Sequence, residues 1–236
     1  MTALLPPDYA SHDITYRRLR ERDALGWDAE ADGYTEMLIR VAPALPAIGD
    51  GKPQKILELG CGAGNFSVLL AQRGYVVSGV DIAPTAIDWA TERASVNGVT
   101  AQFRVDNVLE LATCADACMD AVVDGHCLHC VIGDDRARCL GAVLRVLKPG
   151  GVFVVLTMCG DVTNSRMLET FDAATRTTVH DGRPTRYIGD ADSIVAEVAA
   201  AGFQIRNAQV IGRKDCGDLD DLVVYAQKPE AVAVFQ

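Results

Sequence analysis

The chain has 236 residues, 49% hydrophobic and 23% charged, the balance of a globular protein long enough for one substantial core. Lys and Arg number 22 against 32 Asp and Glu, a formal charge of −10, so a nucleic-acid partner, which requires a basic face, is not expected. No stretch approaches the ~20 apolar residues that cross a bilayer. The first twenty residues lack a leader pattern, so eight cysteines read as reduced thiols in a cytoplasmic chain.

Residues 1–50 read as an N-terminal helical cap. Tyr34–Ala42 has helical spacing and is broken by Pro43 and Pro46. The cap either packs on a sheet edge or covers a ligand with Tyr16, Trp27 or Tyr34, and the two are compatible. A first strand, Ile56–Leu59, stops at Gly60, Gly62 and Gly64, and a helical pattern follows from Phe66. Strand, glycine turn and helix open a nucleotide-binding α/β unit. A second strand, Tyr75–Val80, ends at Asp81, 21 residues after Gly60 and near the offset at which an acid meets a ribose. Pro84 starts a helix running to Val96. A third strand, Ala101–Val105, ends at Asp106, and a fourth, Met119–Val123, runs into Asp124-Gly125-His126-Cys127-Leu128-His129-Cys130. Asp134–Leu147 reads as a helix, and Lys148-Pro149-Gly150-Gly151 as a turn into a fifth strand, Val152–Leu156. Residues 157–189 show no strand period and hold Arg166, Arg176, His180, Arg183 and Arg186. A helix at Ala191–Ala201 and two antiparallel strands, Phe203–Val210 and Leu222–Gln227, close the chain, with Gly212–Asp221 as their loop.

The dinucleotide fingerprint G-x-G-x-x-G would place its third glycine at 65, which is Asn65, and no Gly-Lys-Ser/Thr follows for a P-loop. The run I-L-E-L-G-C-G-A-G-N, with V-S-G-V-D-I-A, V-D-N, M-D-A-V-V-D-G and V-L-K-P-G-G in order, resembles the class I S-adenosylmethionine-dependent methyltransferases over about residues 53–156. The resemblance implies an α/β, Rossmann-like, doubly wound sheet of seven strands, mainly parallel, with an antiparallel final strand. It implies a single domain whose parts are the cap, the cofactor core at 53–156, a substrate-side segment at 157–189 and closing elements at 190–228. It also implies S-adenosylmethionine as cofactor. Glu58, Gly60, Cys61 and Gly62 would surround its methionine part, Asp81 its ribose hydroxyls, Ile82 its adenine face, and Asp106 with Asn107 the adenine amino edge.

The expected reaction is methyl transfer to a small-molecule O, N or S nucleophile. A non-catalytic cofactor-binding module, or a protein, RNA or metalloid acceptor, are the alternatives. Ligands of such sheets sit beyond the carboxyl strand ends, so Asp124–Cys130 faces the reacting methyl. Either His126 or His129 acts there as base or orienting partner. The competing readings are a soft metal or metalloid held by Cys127 and Cys130, or a purely structural cluster. No metal is assigned. The loop arginines could pair an acidic substrate or be solvated, and His180 is a reserve base. Sequence leaves the acceptor and the oligomeric state open.

Overall fold

The computed structural model describes residues 4–27, 31–49, 51–212 and 219–231. Two helices lead the chain, α1 (His12–Glu21) and α2 (Ala31–Val41). The charged stretch at 16–22 therefore belongs to a helix that its mixed composition does not announce. Strands β1 (Lys55–Leu59), β2 (Val76–Asp81), β3 (Ala101–Val105), β4 (Met119–Gly125) and β5 (Leu147–Cys159) form parallel pairs. Helices α3 (Asn65–Gln72), α4 (Pro84–Val96) and α5 (Asp135–Val146) connect them.

The fifth strand is longer than its apolar run. It incorporates Lys148–Gly151, whose expected turn becomes an irregular stretch of strand. Gly150 N donates to Lys228 O and Lys228 N to Gly151 O, so the closing strand supplies the hydrogen bonds a free turn would leave to water. After the short α6 (Ser165–Leu168), the segment without a strand period folds as a small antiparallel sheet of β6 (Phe171–Asp172), β7 (Thr177–His180) and β8 (Arg183–Tyr187). Asp181 and Gly182 both have positive φ, 50° and 73°. That is the turn an Asp-Gly pair favours between short strands.

Helix α7 (Ala191–Ala200) leads to β9 (Gln204–Ile211) and β10 (Asp220–Gln227). Residues 213–218 of the expected loop lie outside the described residues. The large sheet has the order β3-β2-β1-β4-β5-β10-β9, with β10 antiparallel to both neighbours. It is the seven-stranded, doubly wound α/β sheet expected from the motifs.

Alternating side chains build a core on each face. Leu57, Phe153 and Val155 pack with α5 and α7, whereas Ile56, Val154 and Leu156 pack with α2 and α3. The strand order reverses between β1 and β4, and that crevice is where this topology receives a ligand. Because β10 runs against the parallel strands, its first residues, not its last, reach the same sheet edge; Asp221 pairs in register with Met158 at the end of β5.

Candidate active site

A cavity of about 260 Å³ lies across the carboxyl ends of β1, β2 and β4. The glycine turn forms one wall. Gly60 and Gly62 have φ of 57° and 51°, which a side chain rarely adopts. Space forbids one as well. A Cβ on Gly60 would lie 2.7 Å from Cys127 Sγ, and one on Gly62 would lie 2.6 Å from the Tyr16 hydroxyl. The turn is thus pressed between the β4 loop and the N-terminal cap.

Asp81 is buried at the end of β2. Its Oδ2 accepts from Gly62 N (3.0 Å) and its Oδ1 from Ala83 N (2.9 Å), which leaves acceptor capacity on both oxygens. Burial raises its pKa to about 6. Glu58, on β1, accepts the Ser67 hydroxyl, and burial raises it to about 8. Ile82 and Cys61 also line the cavity, the latter with its thiol pushed up by burial and packed against Gly79.

Asp106 and Asn107 reach the wall too, but the Asp106 carboxylate is committed. It accepts from Asn107 N and Ala112 N through one oxygen, and from Thr113 N and Oγ1 through the other. Four acceptor sites are about what a carboxylate has, so this side chain fixes the 106–113 loop. Asn107 in turn accepts from Leu109 N.

The loop after β4 is shaped by Asp124, which is fully buried. Its Oδ1 accepts from Cys127 N and Leu128 N, both at 2.8 Å, and starts the short turn 128–130; Oδ2 has no partner. Burial raises this carboxyl to about 7. His126 has φ of 66°, uncommon for a side chain, and its N–H donates to Leu156 O. Its Nε2 is 3.7 Å from Asp221 Oδ1, while Asp221 Oδ2 accepts from Arg40 of α2 at 2.7 Å. His129 is buried with its ring edge-on to His126 at 5.9 Å, and its Nδ1 has no partner. Burial, with the His126 ring next, pushes His129 protonation well below the ordinary range.

Both histidines, Cys127 and Cys130 line the cavity. Burial holds the Cys127 thiol well above its ordinary range and raises Cys130 to about 11. Among the described residues no three His, Cys, Asp or Glu side chains are grouped to hold a metal ion.

The cap contributes aromatic cover: Tyr9, Tyr16, Trp27 and Tyr34 line the cavity with His12 and Met37. Trp27 meets the His12 and Tyr16 rings edge-on. Of the loop arginines, Arg176 donates to Ile188 O and Gly160 O, and Arg183 to Pro6 O, so these two are structural. His180 is exposed on β7 and does not line the cavity. Sequence patterns gave no warning of Tyr9, His12 or Asp221. No motif surrounds the first two, and the third reads as loop.

Residues 57–155 match the family described as a methyltransferase domain. The chain is 35% identical over 109 residues to the ribosomal RNA small subunit methyltransferase C of Alcanivorax borkumensis, covering 43% of this chain and 31% of that one. It is 27% identical over 157 residues to a ubiquinone biosynthesis O-methyltransferase of Alkalilimnicola ehrlichii, covering 62% and 63%. The chain thus spans less than two thirds of the length of these relatives. Its fold is similar to that of 1,6-didemethyltoxoflavin-N1-methyltransferase from Burkholderia thailandensis, solved with 1,6-didemethyltoxoflavin and S-adenosylhomocysteine. The TM-score is 0.71 at 22% identity, covering 94% of this chain and 87% of that one.

Proposed function

We propose that this chain, whose residues 57–155 match a methyltransferase domain, is a class I S-adenosylmethionine-dependent methyltransferase that transfers a methyl group from that cofactor to a small-molecule acceptor. The observation that carries the reading is Asp81, a buried carboxylate facing the three-glycine turn with acceptor capacity left on both oxygens. Two neighbouring hydroxyls of a ribose are the donors such a carboxylate suits.

The cofactor's charge fits the same wall. Glu58 and Asp81 line the cavity, Asp124 is fully buried outside the lining, and burial holds all three carboxyl groups toward their neutral forms. A ligand bearing an ammonium and a sulfonium gives them reason to ionise. In this proposal Glu58, Gly60, Cys61 and Gly62 hold the methionine part, Asp81 the ribose and Ile82 the adenine face. Asn107 lies at the adenine edge, with Asp106 acting through the loop it fixes.

The bound cofactor supplies an activated sulfonium methyl, so the chain's task is alignment and proton removal. His126 is the proposed base or orienting partner for the acceptor atom. Asp221, 3.7 Å from its Nε2 and itself anchored by Arg40, is the proposed positioning residue. His129, buried and neutral, is better suited to donating or accepting a hydrogen bond than to carrying a proton away.

Calorimetry tests the foundation. S-adenosylmethionine is expected to bind with a micromolar Kd, and Asp81→Ala to weaken it at least tenfold, about 1.4 kcal/mol. Undiminished binding in the variant would remove the ribose assignment.

A further inference from the structure

The carboxylates on one side of the cavity are matched on the acceptor side by a basic cluster that cofactor binding leaves unused. Three side chains compose it, each from a different element. His12 comes from α1, His129 from the turn after β4, and Arg186 from β8, which packs against that turn. Both histidines line the cavity, whereas Arg186 is not among its lining residues. The arginine is near enough for its charge to oppose protonation of both, behind burial as the leading cause for each.

Arg186 is half-buried, yet its buried Nε has no hydrogen-bond partner, and among the described residues it forms no ion pair. The contrast with Arg136 is instructive. That arginine, also buried, has Glu197 as counterion and two carbonyls for its remaining N–H groups. A partly desolvated guanidinium without a counterion is unfavourable unless something else brings the charge. His129 Nδ1 is likewise buried and unpartnered, in a side chain 5% exposed. Asp8 is the carboxylate facing His12, and it is exposed, where water and salt screen it.

We propose that the methyl acceptor carries a carboxylate, and that this group docks on His12 and His129, with the charge of Arg186 behind them. The inference rests on the methyl-transfer reading, because it assigns the part of the cavity that the cofactor leaves free. A guanidinium without a counterion behind the two rings is stabilised by an anion placed there. Two neutral imidazoles can each donate one further hydrogen bond to it. The two ends of the cavity then select opposite charges, cationic donor on one side and anionic acceptor on the other. Such a division also disfavours binding either ligand backwards.

The test uses the full chain saturated with S-adenosylhomocysteine at pH 7.5, with benzoate and benzamide as probes of equal shape and different charge. Calorimetry should give benzoate at least a tenfold advantage. Arg186→Gln should abolish that advantage while leaving S-adenosylhomocysteine affinity within twofold, and His129→Gln should reduce it. Equal affinity for the two probes would overturn the proposal, as would discrimination that survives Arg186→Gln. So would benzoate binding too weak to detect at about 10 mM. Failure of S-adenosylhomocysteine itself to bind would instead count against the methyl-transfer reading.

Discussion

Glu58 sits in a fold that opposes its own charge, and the sign of the consequence can be worked out. Unfolded, it ionises near 4.5; folded, it keeps its proton to about pH 8. Between those values the folded state binds more protons, so the stabilising contribution is full below about pH 4.5 and is lost as pH rises to 8. Glu58→Gln removes the titration while leaving an acceptor for the Ser67 hydroxyl. Relative to wild type, the ligand-free variant should gain at least roughly 3 °C more in Tm at pH 8 than at pH 5. Scanning calorimetry at the two pH values measures it, and a pH-independent difference would contradict the buried-charge argument. At the reacting end, His126→Ala should lower kcat by about 100-fold or more with cofactor affinity within twofold. Asp221→Asn should cost roughly tenfold and move the acid limb of the kcat/KM profile to lower pH, because removing the carboxylate lowers the imidazole pKa. Full turnover in both variants would show that the pair is structural. Asp81 could be read from its spacing to Gly60, since chain distance along one βαβ unit sets it. The saturation of Asp106 by Thr113 and Ala112 could not, because a strand-end acid looks the same whether it holds a ligand or its own loop.

At the level of elements, the cap is joined to the cofactor core through helix ends. Ala83 has no side-chain acceptor with which to cap α4; instead Asp13 of α1 accepts from Thr85 N at 2.9 Å, and Arg17 holds its other oxygen at 2.6 Å. Arg93 of α4 and Asn65 of α3 both donate to Leu25 O, which ties down the segment bearing Trp27. Asp13→Ala should therefore cost about 1 kcal/mol, as loss of a helix cap does. It should also raise amide exchange in residues 12–21 well above that in β5. Uniform exchange changes across the chain would mean that the cap is held elsewhere. Sequence periodicity located β1, β2 and β4 because parallel strands buried on both faces read as apolar runs, and it located β3, a largely exposed edge strand, by its alternation. It failed where local cues compete. Lys148–Gly151 carries a turn signature that β10 overrides by hydrogen bonding, and β7 and β8 alternate Thr, Arg and Pro too weakly to register. The Asp181-Gly182 pair was the signal available there, and it marks the hairpin only once its flanks are taken as strands.

For the whole molecule, charge bears on the proposed acceptor class. One relative acts, by its name, on ribosomal RNA, but the shared stretch covers only 31% of that protein. An RNA ligand presents a line of phosphates, and affinity comes chiefly from neutralising them with Lys and Arg. Here the net charge is −10. Several arginines near the cavity are committed to other partners. Arg176 and Arg183 are spent on backbone carbonyls, Arg136 on Glu197, and Arg40 on Asp221. Arg186 is half-buried, and the proposed carboxylate site beside it suits one small anion rather than a polymer. A cavity of about 260 Å³ lined by aromatic rings of the cap points the same way. A structured RNA should therefore bind no tighter than about 10⁻⁴ M at 150 mM salt. Filter binding at 50 and 150 mM salt measures this. Micromolar retention at the higher salt, with a slope of several counterions, would return RNA to the acceptor list.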